Sequence, residues 1–148
     1  MIIAYRHADG TVEQVSTDDL SAIESADIET TLGEVPWNEV ESRLRANDPT
    51  AMRAVLWVAR RRAESALKFS EFDIPGWRRR LTARMERAEI DEALDTILVE
   101  ALSASKDAEV DAMLPHLRKL AHDQDDVNAA LTALGKGHLV EAPAGSED

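Results

Sequence analysis

Residues 37–73 read WNEVESRLRANDPTAMRAVLWVARRRAESALKFSEFD, and the punctuation inside this stretch sets the fold. Trp37, Val40 and Leu44 fall at i, i+3 and i+7, one face of a helix. Pro36 suits the first turn of that helix, which is predicted over 37–46. Asn47-Asp48-Pro49 stops it and starts another, with Asp48 as N-cap and Pro49 as the first helical residue. The second helix is predicted to run to about Leu67, completing a central helical pair over 36–67. Met52, Val55, Leu56, Ala59, Ala63 and Ala66 make one stripe at helical spacing, the expected core face. Trp57 lies off that stripe, on the side of Arg53, Arg60, Arg61 and Glu64. Lys68 to Pro75 (KFSEFDIP) breaks the helical period and reads as a connector that docks Phe69, Phe72 and Ile74 into the body.

Upstream, MIIAYR and TVEQV are short and β-prone, and Asp9-Gly10 between them is a strong turn signal. A β-hairpin is predicted over 2–15. A lone hairpin is marginal in water, so it must pack on the helices or pair with a further strand, including one from a second copy. Ser16-Thr17-Asp18-Asp19 then offers a cap and acids for a short helix over 18–25. Asp27 to Leu32 is ambiguous, and Gly33 ends it.

Downstream, Trp77 to Ala88 (WRRRLTARMERA) reads as a basic helix with Trp77, Leu81, Met85 and Ala88 on one face. Further amphipathic helices are expected over 91–105, 110–122 and 127–134. Pro115 either kinks the second of these or sits in its first turn. Gly135 suits the residue just past the last helix. The expected fold is mostly α. It is a compact helical domain over 1–134, with a short N-terminal β-hairpin, helices over 77–134 and a flexible acidic tail over 135–148.

A chain of 148 residues supports one domain with a real core. It has no cysteine, so disulfides and thiolate metal sites are excluded. No apolar run approaches the ~20 residues of a membrane span, and none resembles a signal peptide. The net charge of −12 is unevenly placed. Residues 1–51 carry 3 basic and 11 acidic side chains, residues 52–87 carry 10 and 4, and residues 88–148 carry 4 and 14. A basic centre between acidic arms implies internal charge matching on folding, or self-association into a homo-oligomer if the arms of one copy reach the centre of another.

Catalytic patterns are missing. The four histidines have no metal-ligand spacing, no serine lies in a G-x-S-x-G turn, and there is no Gly-rich phosphate loop. Acid pairs such as Asp18/Asp19 and Asp125/Asp126 sit at helix starts, where the helix dipole accounts for them. No enzyme activity, cofactor or metal is therefore expected. Arg60-Arg61-Arg62 and Arg78-Arg79-Arg80, each near a Trp, suit phosphates and stacked bases. Against that, the chain is acidic, and three consecutive arginines point in three directions around a helix. Nucleic-acid binding is disfavoured. Trp57 has two readings: an indole covered by a neighbouring element with Arg53 or Arg61 stacked on it, or a partner-binding anchor. On the second, Arg53, Trp57, Arg60, Arg61 and Trp37 are the candidate partner-binding residues, and Trp57→Ala weakens binding more than folding.

The order of features over residues 27–74 resembles the tail assembly chaperones of long-tailed bacteriophages, especially those infecting actinobacteria. Sequences of that family combine an acidic N-terminal part, a Gly-x-x-Trp-like helix start, an Asn/Gly-Asp turn, an apolar-Trp pair followed by basic residues, and an acidic-aromatic exit. Here these are Gly33 to Trp37, Asn47-Asp48-Pro49, Leu56-Trp57-Val58-Ala59-Arg60-Arg61-Arg62 and Phe69-Ser70-Glu71-Phe72-Asp73. The first departs from the pattern by the insertion of Glu34-Val35, and nothing from Trp77 onward matches. The resemblance implies a non-enzymatic protein of the host cytoplasm that coats the tape measure protein and keeps it soluble while tail tube subunits polymerise around it. Many such proteins also have a longer form made by ribosomal frameshifting. Gly135-Lys136 is compatible with that, since their codons can be runs of G and A. The rival readings are another phage morphogenesis or virion component and, less favoured, a small DNA-binding regulator.

Overall fold

The computed structural model describes residues 1–102, 107–137 and 140. The chain divides into two compact units, Met1–Arg84 and Met85–Asp148, where the sequence reads as one domain over 1–134. Both are dominated by helix, and the first also carries a small antiparallel sheet. Most of the tail expected over 135–148 lies outside the described residues.

The first unit opens with the expected hairpin. Strand β1 (Ile2–Arg6) pairs antiparallel with β2 (Val12–Ser16), with Ile3 opposite Val15 and Tyr5 opposite Glu13. The turn closes through Gly10 at φ 90, and Asp9 accepts hydrogen bonds from the backbone and hydroxyl of Thr11 at 2.9 and 2.7 Å. A 3₁₀ turn over Thr17–Asp19 follows, and then α1 (Ala22–Thr31). The helix expected over 18–25 is thus displaced, and it absorbs most of the ambiguous segment. Its start is fixed by a reciprocal capping box, Ser21 Oγ accepting from the Glu24 N–H and Glu24 accepting from the Ser21 N–H.

Helices α2 (Trp37–Arg45) and α3 (Pro49–Arg61) lie on either side of a tight reversal. Asn47, at φ 57, takes the left-handed position just past α2. Its N–H donates to Leu44 O and that of Asp48 to Arg43 O, the two bonds of a Schellman closure. Asp48 then caps α3, its carboxylate accepting from the Thr50 and Ala51 N–H groups at 2.8 and 3.4 Å. One residue therefore closes one helix and opens the next. The middle of α3 is buried on nearly every side: Ala51, Met52, Ala54, Val55, Leu56, Trp57 and Val58. Fully burying residues such as Met52, Val55 and Leu56 contributes about 1.5–3 kcal/mol each.

Two expectations fail around α3. It ends at Arg61 rather than near Leu67, and Ala63 and Ala66, assigned to the core stripe, are exposed. The chain must reverse there to bring Leu67, Phe69 and Phe72 back over the helix. Nor is Trp77 to Ala88 one helix. Trp77–Arg80 forms a single turn, α4, and Leu81–Arg84 is strand β3, antiparallel to β1 with Ile3 opposite Ala83 and Tyr5 opposite Leu81. Leu-Thr-Ala-Arg fits a period of two as well as a helical one. The hairpin's open edge decides between them, because pairing there satisfies backbone groups and buries Leu81 and Ala83. The third strand that the hairpin needed comes from its own chain, and the sheet order is β2-β1-β3.

The second unit holds α5 (Arg87–Leu102), α6 (Asp107–Leu120) and α7 (Gln124–Ala133). Its core gathers Ile90, Leu94, Leu114, Leu117, Val127, Ala130 and Leu131. Met85 forms a parallel bridge with Ala121, accepting from the His122 N–H and donating to Leu120 O, both at 2.7 Å. Pro115 lies inside α6, not in its first turn. Gly135 closes α7 at φ 73.

Candidate partner-binding surface

The residues singled out in the sequence are buried or half-buried, and each is engaged by its own chain. Trp57 is only 7% exposed. Its indole Nε1 donates to Leu67 O at 3.0 Å, Phe69 meets it edge-on at 5.5 Å, and the Arg61 guanidinium lies 4.7 Å from its ring centre. The 67–69 segment covers it. Arg53 donates to Phe72 O at 2.8 Å and stacks 3.9 Å over Phe69. Trp37 is half-buried, its indole donating to Glu41 one turn along at 3.1 Å.

The first arginine triplet is a clasp. Arg60 grips Glu13 on β2 through Nε and Nη2, the latter at 2.8 Å. Arg61 pairs with Asp27 of α1 at 2.8 Å. Arg62 pairs with Glu24 at 2.6 Å and donates to Asp19 O at 3.1 Å. The three directions that disfavour a common nucleic-acid face let this triplet hold three separate points of the unit. The carboxylates respond. Burial opposes ionisation of Glu13, but hydrogen bonds and charge from Arg60, helped by His7, outweigh it and hold the carboxyl below its usual value. The hydrogen bond from Arg62 draws Glu24 from 4.5 to about 2, with the Ser21 capping bonds adding to it against partial burial. Arg60 and Arg62 are raised in turn, chiefly by these hydrogen bonds.

The second triplet is used differently. Gly76, at φ 70, turns the chain so that Trp77 emerges 39% exposed. Arg78 lies 5.4 Å from the Trp77 ring centre, and Arg78 and Arg79 are exposed. Among the described residues none of Arg78, Arg79 and Arg80 makes an ion pair. Arg80 folds back beside Gly76, where a Cβ would stand 3.3 Å from its Cδ. Beside Trp77 opens a cavity of about 230 Å³ lined by Pro49, Thr50, Arg53, Asp73, Ile74, Trp77 and Leu81. On the other side a shallow depression of about 340 Å³ runs over Gly76 to Arg79.

The sequence reading placed Trp77 on one face of a continuous helix with Leu81, Met85 and Ala88 and so passed over this surface. Two signals could have found it: the Pro75-Gly76 break just before the Trp, and the two-residue alternation just after it. Of the five candidates, only Arg53 touches the cavity. Among the described residues, no group of three or more His, Asp or Glu could hold a metal ion, and no helix is long and apolar enough to cross a membrane. Comparison with known proteins finds no matching family model, no curated relative and no similar solved structure.

Proposed function

We propose that this chain is a non-enzymatic protein that binds a polypeptide client, and that it serves as a tail assembly chaperone for the tape measure protein of a long-tailed phage. The binding half rests on one observation: Trp77 stands out of the surface between a cavity of mixed polar and apolar lining and two arginines that, among the described residues, make no ion pair. Trp and Arg are the residue types most enriched where interfaces concentrate their energy. The client half rests on the resemblance over residues 27–74. The matching residues belong together physically, since the Asn47-Asp48-Pro49 reversal sets α3 and the Phe69 to Asp73 exit folds back over Trp57 and Arg53. They act as architecture, which leaves client contact to the surface around Trp77.

Co-expression tests the proposal. A tape measure protein encoded beside this chain should be insoluble alone, soluble when both are made, and recovered with the chain on affinity capture. Purified virions should lack the chain. Its presence in virions as a stoichiometric component would assign it to the particle structure instead.

A further inference from the structure

We infer that Trp77, Arg78 and Arg79, with the adjoining cavity, form a docking site for an acidic amphipathic segment of a partner polypeptide, anchored by one large apolar side chain. The inference rests on the polypeptide-binding reading above, but not on which protein the client is.

Charge comes first. The chain has 29 acidic and 17 basic side chains. Arg60, Arg61 and Arg62 each hold a carboxylate, whereas Arg78 and Arg79 hold none among the described residues. Arg78 is also stacked against Trp77, so its guanidinium fork is partly oriented before any partner arrives. Carboxylates on a partner are the natural complement of that pair.

Shape comes second. The cavity of about 230 Å³ is smaller than the ~300–1,000 Å³ of typical small-molecule sites. Its lining mixes Thr50, Arg53 and Asp73 with Pro49 and the edges of the buried Ile74 and Leu81, the exposed Trp77 ring supplies its main apolar face, and it has room for one side chain of the Leu or Phe class. Arg53 and Asp73 stand opposite in charge on its lining. Arg53 is tied to Phe72 O, and the Asp73 carboxylate accepts from the Ile74 N–H at 2.8 Å. The cavity therefore adds little net charge, and the sign of the site is set by Arg78 and Arg79.

An acidic segment fits better than a nucleic acid. A duplex brings one charge per ~1.7 Å along its axis, and that array would extend well past Arg78 and Arg79 over the surface of a strongly acidic protein. A peptide brings a few carboxylates, and screening over ~8 Å limits their repulsion from the rest of the surface.

The test uses the full chain and four fluorescein-labelled probes, read by anisotropy. The first is a helical peptide of about 20 residues, ~30 Å long, with Leu at i, i+3, i+4 and i+7, a few Glu flanking that face and Ala or Gln elsewhere. The others are its Lys-for-Glu and Ser-for-Leu counterparts and a single-stranded oligo-dT. The Glu/Leu peptide should bind more tightly than the other three, and more weakly as salt rises from about 0.05 to 0.3 M. Trp77→Ala should weaken it at least ~10-fold. The Arg78→Glu/Arg79→Glu double variant should do the same and flatten the salt dependence. Arg45→Glu, an exposed arginine of α2, should change it less than ~3-fold. Far-UV circular dichroism checks that each variant is folded, and the double variant carries the test if Trp77→Ala is not. Any one of four results overturns the inference: the Lys or Ser peptide binding as tightly, oligo-dT binding more tightly, no binding of the Glu/Leu peptide up to ~1 mM, or folded variants that bind it unchanged. Self-association that Trp77→Ala abolishes, without peptide binding, would give the face to a second copy and overturn it too.

Discussion

Replacing Trp57 by Ala tests whether this indole is a partner anchor or part of the core. At 7% exposure, nearly all of its ring is withdrawn from water. Truncating a buried Trp to Ala costs about 3–5 kcal/mol, combining lost transfer energy with the cavity left behind. The Leu67 carbonyl also loses its donor, and the edge of Phe69 and the Arg61 guanidinium lose the ring they pack on. Leu67 is half-buried, so water can replace the donor and this part adds little. Small domains have only about 5–15 kcal/mol of stability in total, so the loss removes a large share of it. Trp57→Phe keeps most of the apolar surface and forfeits the hydrogen bond, for about 1–2 kcal/mol. The assay is urea denaturation followed by far-UV circular dichroism, because Trp57 is itself one of the three tryptophan fluorophores. The order wild type, Trp57→Phe, Trp57→Ala is expected. A Trp57→Ala protein within ~1 kcal/mol of wild type that has nonetheless lost its client would refute the core assignment and restore the anchor reading.

Asp48→Ala should cost about 0.5–2 kcal/mol, since it strips the cap of α3 at the reversal from α2, and Asp48→Asn should recover most of it; thermal melts decide. Glu24 gives a pH signature. Its carboxyl lies at about 2 when folded, against an ordinary 4.5, so its stabilisation is fully present above about 4.5 and lost as pH falls toward about 2. Taken at face value the shift is worth about 3 kcal/mol. Arg62 is 49% exposed, and screening by water reduces this to about 1–1.5 kcal/mol. Glu24→Gln should therefore be less stable than wild type by that amount near neutrality and equal to it near pH ~2, as measured by denaturant titration at both pH values. Equal stability at neutrality would mean that the Arg62 contact contributes nothing.

What was legible in the sequence was local chemistry. Asn47-Asp48-Pro49 announced a reversal because each residue suits one backbone position, and Asp9-Gly10 announced the hairpin for the same reason. What was not legible depended on residues far apart in the chain. Leu81 to Arg84 satisfy two periodicities, and only the open edge of β1 selects the strand. The angle of Trp57 around α3 is legible in the spacing, but the spacing leaves open whether a neighbouring element covers that charged face. The charges there are answered by Glu13, Asp27 and Glu24, up to 47 residues away. The same long-range matching hid the difference between the two arginine triplets, which look alike in one dimension. Gly135 shows the reverse case. At φ 73 it is the left-handed closure of α7, which accounts for the glycine of the Gly135-Lys136 pair without appeal to recoding.

The Glu13–Arg60 grip has a consequence for how the sheet finds one alignment. β2 is an outer strand, and outer strands are free to slide or to accept a stranger. Slipping by one residue would turn Gln14 inward, swing Glu13 out to water and leave Arg60 without its carboxylate. A purely apolar inner row already penalises that slip by turning its side chains out to water, and the ion pair adds a penalty of its own. A single inward acid, answered from 47 residues away, works as a key that turns in one position. High salt should blunt that key before it melts the fold.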